Sequence, residues 1–304
     1  GLVVEDSYIG KNIDFGKETK QISIKLPQFK ITEDWGKPGN KERELVQKFF
    51  TKIGGSTIKA RVENLNSFIN ECDQDSCINT IEIPKVLSNL VTLDTLASII
   101  HEFGASPAGF LFEAFLAAMV GGTQIVPSKS ISTEDIIDQD GVPVSIKLLA
   151  KDGYVKGSYR DLKYAFDEEP WGKKMVYLVV NKIGKADELK LEWYQFPITE
   201  ELMDDMLSNY RYADLIKNGN QFRIKKRYYT QFRVATLDLG SRRKIVEIAS
   251  RYADRLGDSM FMIYKLLDSL GNNVNDYFLE QSKVSALKAM SDAAELQGKI
   301  TEDF

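Results

Sequence analysis

The sequence predicts a mixed α/β (α+β) protein, with a central mixed β-sheet flanked by helices and helical regions before and after it. Three observations carry this expectation. Between Pro107 and Pro197 the order is an apolar helical stretch, three strand-like runs, a helix and two further strand-like runs. Asp140-Gly141 joins two of those runs with a strong hairpin turn signal, while the later helix is the crossover a parallel pair requires. On either side the apolar residues recur with a helical period. Three regions follow: 1–106, an N-terminal strand and helices; 107–197, the α/β core; and 198–304, mostly helical, with a basic segment over 211–255.

The elements are expected in this order. Gln21 to Ile31 alternates as a strand, and Gly-Lys-Pro-Gly at 36–39 marks a loop. Helical patterns occupy Lys41 to Lys52, Ala60 to Cys72 and Pro84 to Phe103; Pro84 suits a first turn and Gly104 a C-cap. Pro107 to Val120 reads as a buried helix stopped by Gly121-Gly122. TQIV, EDIIDQ and VPVSIKLLA are strands, Tyr154 to Gly157 lead into the helix SYRDLKYAF, and KKMVYLVVNK and LKLEWYQF are strands again. Thr199 N-caps ITEELMDDMLSNY, with Glu200 and Glu201 in the favourable first turn. A basic segment with strand-like alternation follows. Ser241 to Leu256 and Ser259 to Leu270 are helices punctuated by Gly257 and Gly271, and Val274 to Gln297 forms the last.

With 304 residues, 43% apolar and 28% charged, the chain can bury a large core in one to three domains. No apolar run is expected to reach the roughly 18 to 20 residues of a membrane span, and no basic-then-apolar leader is expected at the amino end. The only cysteines, Cys72 and Cys77, read as two free thiols, with a local disulfide as the alternative. Free thiols point to a reducing, cytoplasmic setting, with a virion as the alternative. Together with the sole histidine, His101, the two thiols fall short of a four-ligand zinc site. No G-x-S-x-G, G-x-x-x-x-G-K-[ST] or G-x-G-x-x-G motif occurs, which argues against serine hydrolases and nucleotide-phosphate loops.

Chemistry concentrates in the middle region. Glu113 is the only charged residue between Ala105 and Val120, and burying a carboxylate there is costly unless it is paired. Glu134, Asp135, Asp138 and Asp140 follow, then a lone Lys147 in an apolar run. Carboxylates can hold a hard cation, and a lysine can stabilise charge on a phosphate under attack. A period of two places Asp135 and Asp138 on opposite faces, so only one of them can face Glu113. The bland alternative is that Glu113 simply pairs with a buried lysine such as Lys147.

FEAFLAAMVGG, DIIDQDGVPVSIKLL and YVKGSYRDLKYAF, in that order, resemble the restriction-endonuclease-like superfamily, PD-(D/E)-x-K, whose core is an αβββαβ unit. The resemblance spans about 90 of the 304 residues and is one of pattern. It implies Glu113 as the helix acid and Asp135 as the metal-ligating aspartate, with Asp138 as a second candidate. Lys147 would be the motif lysine, and the cofactor Mg²⁺ or Mn²⁺. Ser145 departs from the pattern, standing two residues before the lysine where the family carries an acid.

Between Arg211 and Arg255 twelve Lys or Arg face four Asp or Glu. Arg223, Lys225, Lys226, Arg227 and Arg233 interleave with Phe222, Tyr228, Tyr229 and Phe232, which suits a nucleic-acid backbone plus stacking on bases. Lys156, Ser158 and Arg160, at the start of a helix, could extend the track with the helix N–H groups. The alternative is an amphipathic strand and a capped helix with solvated basic faces. Two functions are expected as candidates. One is a metal-dependent DNA endonuclease. The other is a catalytically inactive nuclease-fold protein that binds DNA or serves a larger assembly, for example a phage virion, with self-association and no membrane partner.

Overall fold

Alternation in the β-branched and aromatic runs and 3.6-residue periodicity elsewhere yield the elements of the computed structural model. It describes residues 9–14, 19–24, 33–72, 81–102, 105–124, 135–138, 140–150, 153–167, 172–184, 188–240 and 242–303. In chain order these are β1 (Ile9–Asp14), β2 (Thr19–Ile24), a 3-10 turn at Glu33–Gly36, α1 (Lys41–Ile53), α2 (Ile58–Cys72) and α3 (Ile83–Glu102). Then come α4 (Ala105–Val120), β3 (Thr123–Gln124), β4 (Ile136–Ile137), β5 (Pro143–Ala150), β6 (Val155–Ser158) and α5 (Tyr159–Asp167). β7 (Val176–Ile183), β8 (Leu189–Pro197), α6 (Glu200–Leu207), β9 (Ala213–Ile216), β10 (Gln221–Ile224) and α7 (Lys226–Tyr229) follow. The chain closes with β11 (Arg233–Gly240), α8 (Arg242–Glu280) and α9 (Lys283–Asp303).

The central sheet has six strands in the order β11-β8-β7-β5-β4-β3. β5 and β7 are its parallel pair, connected through β6 and α5; its other pairs are antiparallel. The mixed sheet expected from the hairpin and the crossover is therefore present. It also takes β11 from beyond residue 198, so the central layer draws on the third region of the sequence.

Each face of this sheet has its own core. Val144, Ile146, Leu178, Val180, Leu191 and Trp193 point to one side, where they pack with residues of α1 to α4 and α8. Phe112 of α4 meets the Trp193 ring at 5.7 Å, which fixes α4 to this side. Tyr177, Val179, Tyr194 and Phe196 point to the other side, against α5, α6, α7 and the inner face of a small antiparallel sheet ordered β6-β10-β9. Strand alternation sorts the two sets.

Four expectations are corrected. α8 runs unbroken through Gly257 and Gly271. A helical glycine costs only about 1 kcal/mol against alanine, so packing carries the helix through. The break comes instead at Gln281, whose φ is 56°, and the Ser282 hydroxyl then caps α9 by accepting the Ser285 N–H at 3.2 Å. Cys72 is disulfide-bonded rather than a free thiol, and Cys77 lies outside the described residues. Among the described residues, one helix is long and apolar enough to cross a membrane by length and composition: the window Ile83–Ile100 in α3. That window is 78% buried, as a core helix would be. Finally, Phe222, Tyr228 and Tyr229 are buried in the second core, so they serve packing rather than stacking on bases.

Candidate acidic site and basic face

The acidic site is built where β4 ends against β5. Ile136 pairs with Val144, and Asp135, one residue earlier, donates its N–H to the Val144 carbonyl at 2.9 Å. The ladder goes no further, which leaves the Ile146 N–H without a strand partner on that edge. The Asp135 carboxylate takes that N–H through Oδ2. The same oxygen accepts the Ser145 hydroxyl at 3.1 Å and lies 3.4 Å from Lys147 Nζ. One carboxylate oxygen thus collects three donors, one of them the Lys147 ammonium, which is how a half-buried anion is held without a metal ion. Ser145 is 0% exposed. It pairs across the parallel ladder with Tyr177, whose hydroxyl lies beside it. Burial, together with the negative charge of Asp135, pushes the Tyr177 hydroxyl well above the ordinary tyrosine range even though Ser145 partly offsets the shift.

The other expected acids do not join this group. Asp138 turns the β4–β5 hairpin: its Oδ1 accepts the N–H groups of Asp140 and Val142, both at 2.9 Å, and Gly141 follows with φ 76°. This is an Asx-type use of aspartate. Glu113 is half-buried on α4, which packs on the face of the sheet opposite Ser145 and Lys147, and it has an interaction of its own. Among the described residues, no three His, Cys, Asp or Glu side chains group to hold a metal ion. A Mg²⁺ site needs several carboxylate or carbonyl oxygens on one centre. The described donors, one carboxylate already bonded three times and a serine hydroxyl, do not fit Mg²⁺ or Mn²⁺. Glu134 lies outside the described residues.

The basic residues do come together. Lys156 on β6 and Arg223 on β10 are direct partners across the antiparallel ladder, although 67 positions separate them in sequence. Both point away from the core, because their neighbours Val155, Phe222 and Ile224 are fully buried. Tyr154, two residues before Lys156 and 48% exposed, lies under both cations: Lys156 Nζ is 5.6 Å and the Arg223 guanidinium 5.3 Å from its ring centre. Asp214 on β9 grips Arg223 with two hydrogen bonds of 3.0 and 2.7 Å, and Lys225 lies 3.4 Å from the same carboxylate. The Arg223 contact holds Asp214 below the usual carboxylate range and raises the arginine in turn.

Ser158 accepts the Asp161 N–H at 3.3 Å at the start of α5, and exposed Arg160 lies 3.4 Å from the Asp161 carboxylate. Lys225 and Arg227 both donate to the Tyr210 carbonyl, and Lys226 is exposed beside them. Arg233 stands apart on β11, 3.4 Å from Glu192 and 5.9 Å from the Tyr194 ring centre.

Sequence reasoning missed Tyr154, Tyr177 and Asp214. The first was within reach, since residues two apart on a strand share a face and Tyr154 precedes Lys156 by two. Tyr177 enters only through long-range strand pairing, which leaves no local signal, whereas Asp214 faces Arg223 nine residues on across the β9–β10 hairpin, whose Asn218-Gly219 turn is a readable signal. No family model, curated protein or solved structure matches the chain.

Proposed function

We propose that this protein binds DNA through the open face of the β6-β10-β9 sheet, and that its αβββαβ core is a nuclease-like scaffold without phosphodiester hydrolysis. The observation that carries the reading is the convergence of Lys156 and Arg223 over exposed Tyr154. Two cations beside one accessible ring offer charge to a phosphate and a π-face to a base. Arg160, Lys225, Lys226 and Arg227 extend positive charge around this point, while Asp214 keeps the Arg223 fork oriented. Asp135, Ser145 and Lys147 act structurally: they close the β5 edge where β4 stops. An inactive nuclease fold that grips DNA suits a component of a larger assembly, such as a virion.

Fluorescence anisotropy with labelled single-stranded and duplex DNA tests the reading. The expected result is salt-dependent binding. Lys156→Glu should weaken it at least tenfold and reduce the magnitude of the log–log salt slope by about 1, the loss of one phosphate contact. Tyr154→Ala should weaken single-strand binding by about 1 to 3 kcal/mol, the value of one stacked base. Binding that ignores both substitutions refutes the site. Mg²⁺-dependent cleavage of the same DNA, abolished by Asp135→Asn, refutes the non-hydrolytic part.

A further inference from the structure

α8 carries two apolar seams where a helical hairpin needs one. The first runs through Ser259, Ile263, Leu266, Leu270 and Asn273 on the side of α9; Asn273, and Ser269 next to the seam, donate to Asp292 of α9 at 2.8 and 2.7 Å. The second runs one position over, through Met260, Tyr264, Leu267, Gly271, Val274 and Phe278. Its steps are 4, 3, 4, 3 and 4 residues, the a/d spacing of a coiled coil. Solvent meets this second seam: Leu267 is 52% and Phe278 73% exposed, and Met290 of α9 is 71% exposed. Side chains repeating every 3.5 residues stay in line only against another helix. We infer that the second seam of α8 is the interface for a second copy of this chain, paired antiparallel into a four-helix bundle of two α8–α9 hairpins.

The residues themselves select the occupant and its direction. Run antiparallel about a two-fold axis, the seam sets Met260 opposite Phe278, Tyr264 opposite Val274 and Leu267 opposite Gly271. Each larger side chain then meets a smaller or flexible one, and the contact is self-complementary, as a two-fold interface requires. A parallel pair would instead stack Gly271 on Gly271 and leave a hole, with Tyr264 facing Tyr264. The outer flank of the seam is Phe261, Asp268 and Asn275; the antiparallel register has its two-fold at Ser269, so Phe261 lies against Asn275 and Asp268 beside its own copy, the one like-charge pair on that flank. From Met260 to Phe278 the seam is about 27 Å long. Two helices abreast over that length present roughly 500 Å² of flat face per copy before side-chain relief, the scale of a standard interface of about 800 Å² a side. This inference does not depend on the DNA-binding proposal.

Gly271 makes the test sharp, because a Cβ added there meets nothing within 4 Å in the single chain. Sedimentation velocity on the full chain, up to about 100 μM, should show a dimer, which a micromolar Kd would saturate. Gly271→Leu should weaken the dimer at least a hundredfold while circular dichroism shows helicity unchanged or raised, since the added side chain clashes only with the partner's Leu267. Leu267→Asp should do the same. A parent chain that stays monomeric at the highest concentration overturns the proposal, as does dimerisation unaffected by both variants. A tighter dimer in Gly271→Leu overturns the antiparallel register.

Discussion

Replacing Asp205 with alanine is expected to loosen the small sheet that carries the basic face. Asp205 lies on α6 and is 4% exposed. Its carboxylate accepts three successive main-chain N–H groups, Arg211 at 3.0 Å, Tyr212 at 2.5 Å and Ala213 at 2.8 Å. Its own carbonyl accepts the Tyr210 N–H at 2.9 Å, where the chain turns with φ 53°. One side chain therefore shapes the entry to β9, which pairs with β10, which pairs with β6. The Ala213 N–H is buried, and leaving it unbonded costs about 1–3 kcal/mol; the two half-buried ones, which water can reach, cost about 0.5–1.5 kcal/mol each. The total is about 2–6 kcal/mol, centred near 4, or about a thousandfold in a local opening equilibrium. Hydrogen exchange of peptides covering 211–224 reads this directly. Asp205→Ala should speed exchange there by about a thousandfold, and Asp205→Asn, which keeps an acceptor, by far less. A change below tenfold in the alanine variant would refute the claim that this carboxylate organises the small sheet.

Two further outcomes follow from packing and charge. Gly157 faces Phe222 across the β6–β10 pair, and a Cβ at Gly157 would fall 2.7 and 2.9 Å from two ring atoms. Phe222 cannot retreat, being fully buried with its edge toward the Tyr177 ring at 6.3 Å. Gly157→Ala should therefore cost about 1–3 kcal/mol and lower the Tm, and Gly157→Ala with Phe222→Leu should recover part of it; an unchanged Tm in the single variant counts against this packing. In the C-terminal helical hairpin, burial alone would raise Asp303, but Ser259, Lys299 and Arg255 outweigh it and hold the carboxyl below its usual range. A depressed folded value gives stability that is present above the unfolded value of about 3.9 and lost as pH falls through the folded one. Thermal melts from neutral pH into that acid range should show the loss in the parent and a smaller one in Asp303→Asn; parallel curves would refute the linkage.

Most of the layered architecture was legible because it is written in local periods. α1, α2 and α3 follow apolar stripes, α4 is apolar nearly throughout, β5 and β8 follow alternation and β7 is a continuous apolar run, with turn residues such as Asp140-Gly141 marking their bounds. What escaped was set by partners distant in sequence. β6 is four residues long, and only pairing with β10 makes it a strand; alone, Val155 to Ser158 looks like a helix lead-in. In the basic-aromatic segment composition alone suggests one shared surface, yet alternation divides it: Phe222 and Ile224 turn inward while Arg223 turns outward. Gly257 and Gly271 resemble helix stops in the sequence, but a glycine in a long amphipathic helix is only a modest penalty that packing overrides.

Ser145 shows why the candidate site divides into a legible and an illegible half. Its identity was visible as the position where an acid was expected and absent. What it does depends on geometry: in a fully buried slot beside Asp135, a second carboxylate would set two negative charges against each other at low dielectric, which only a cation or a proton could relieve. A hydroxyl donates instead, and together with the Ile146 N–H and Lys147 it satisfies Asp135 without a metal. The same slot that would make an acid useful to a nuclease makes serine the better residue for a strand edge that has to close on its own. Lys147 is thereby engaged within the strand edge, and the accessible positive charge lies on the outer face where Lys156 and Arg223 meet.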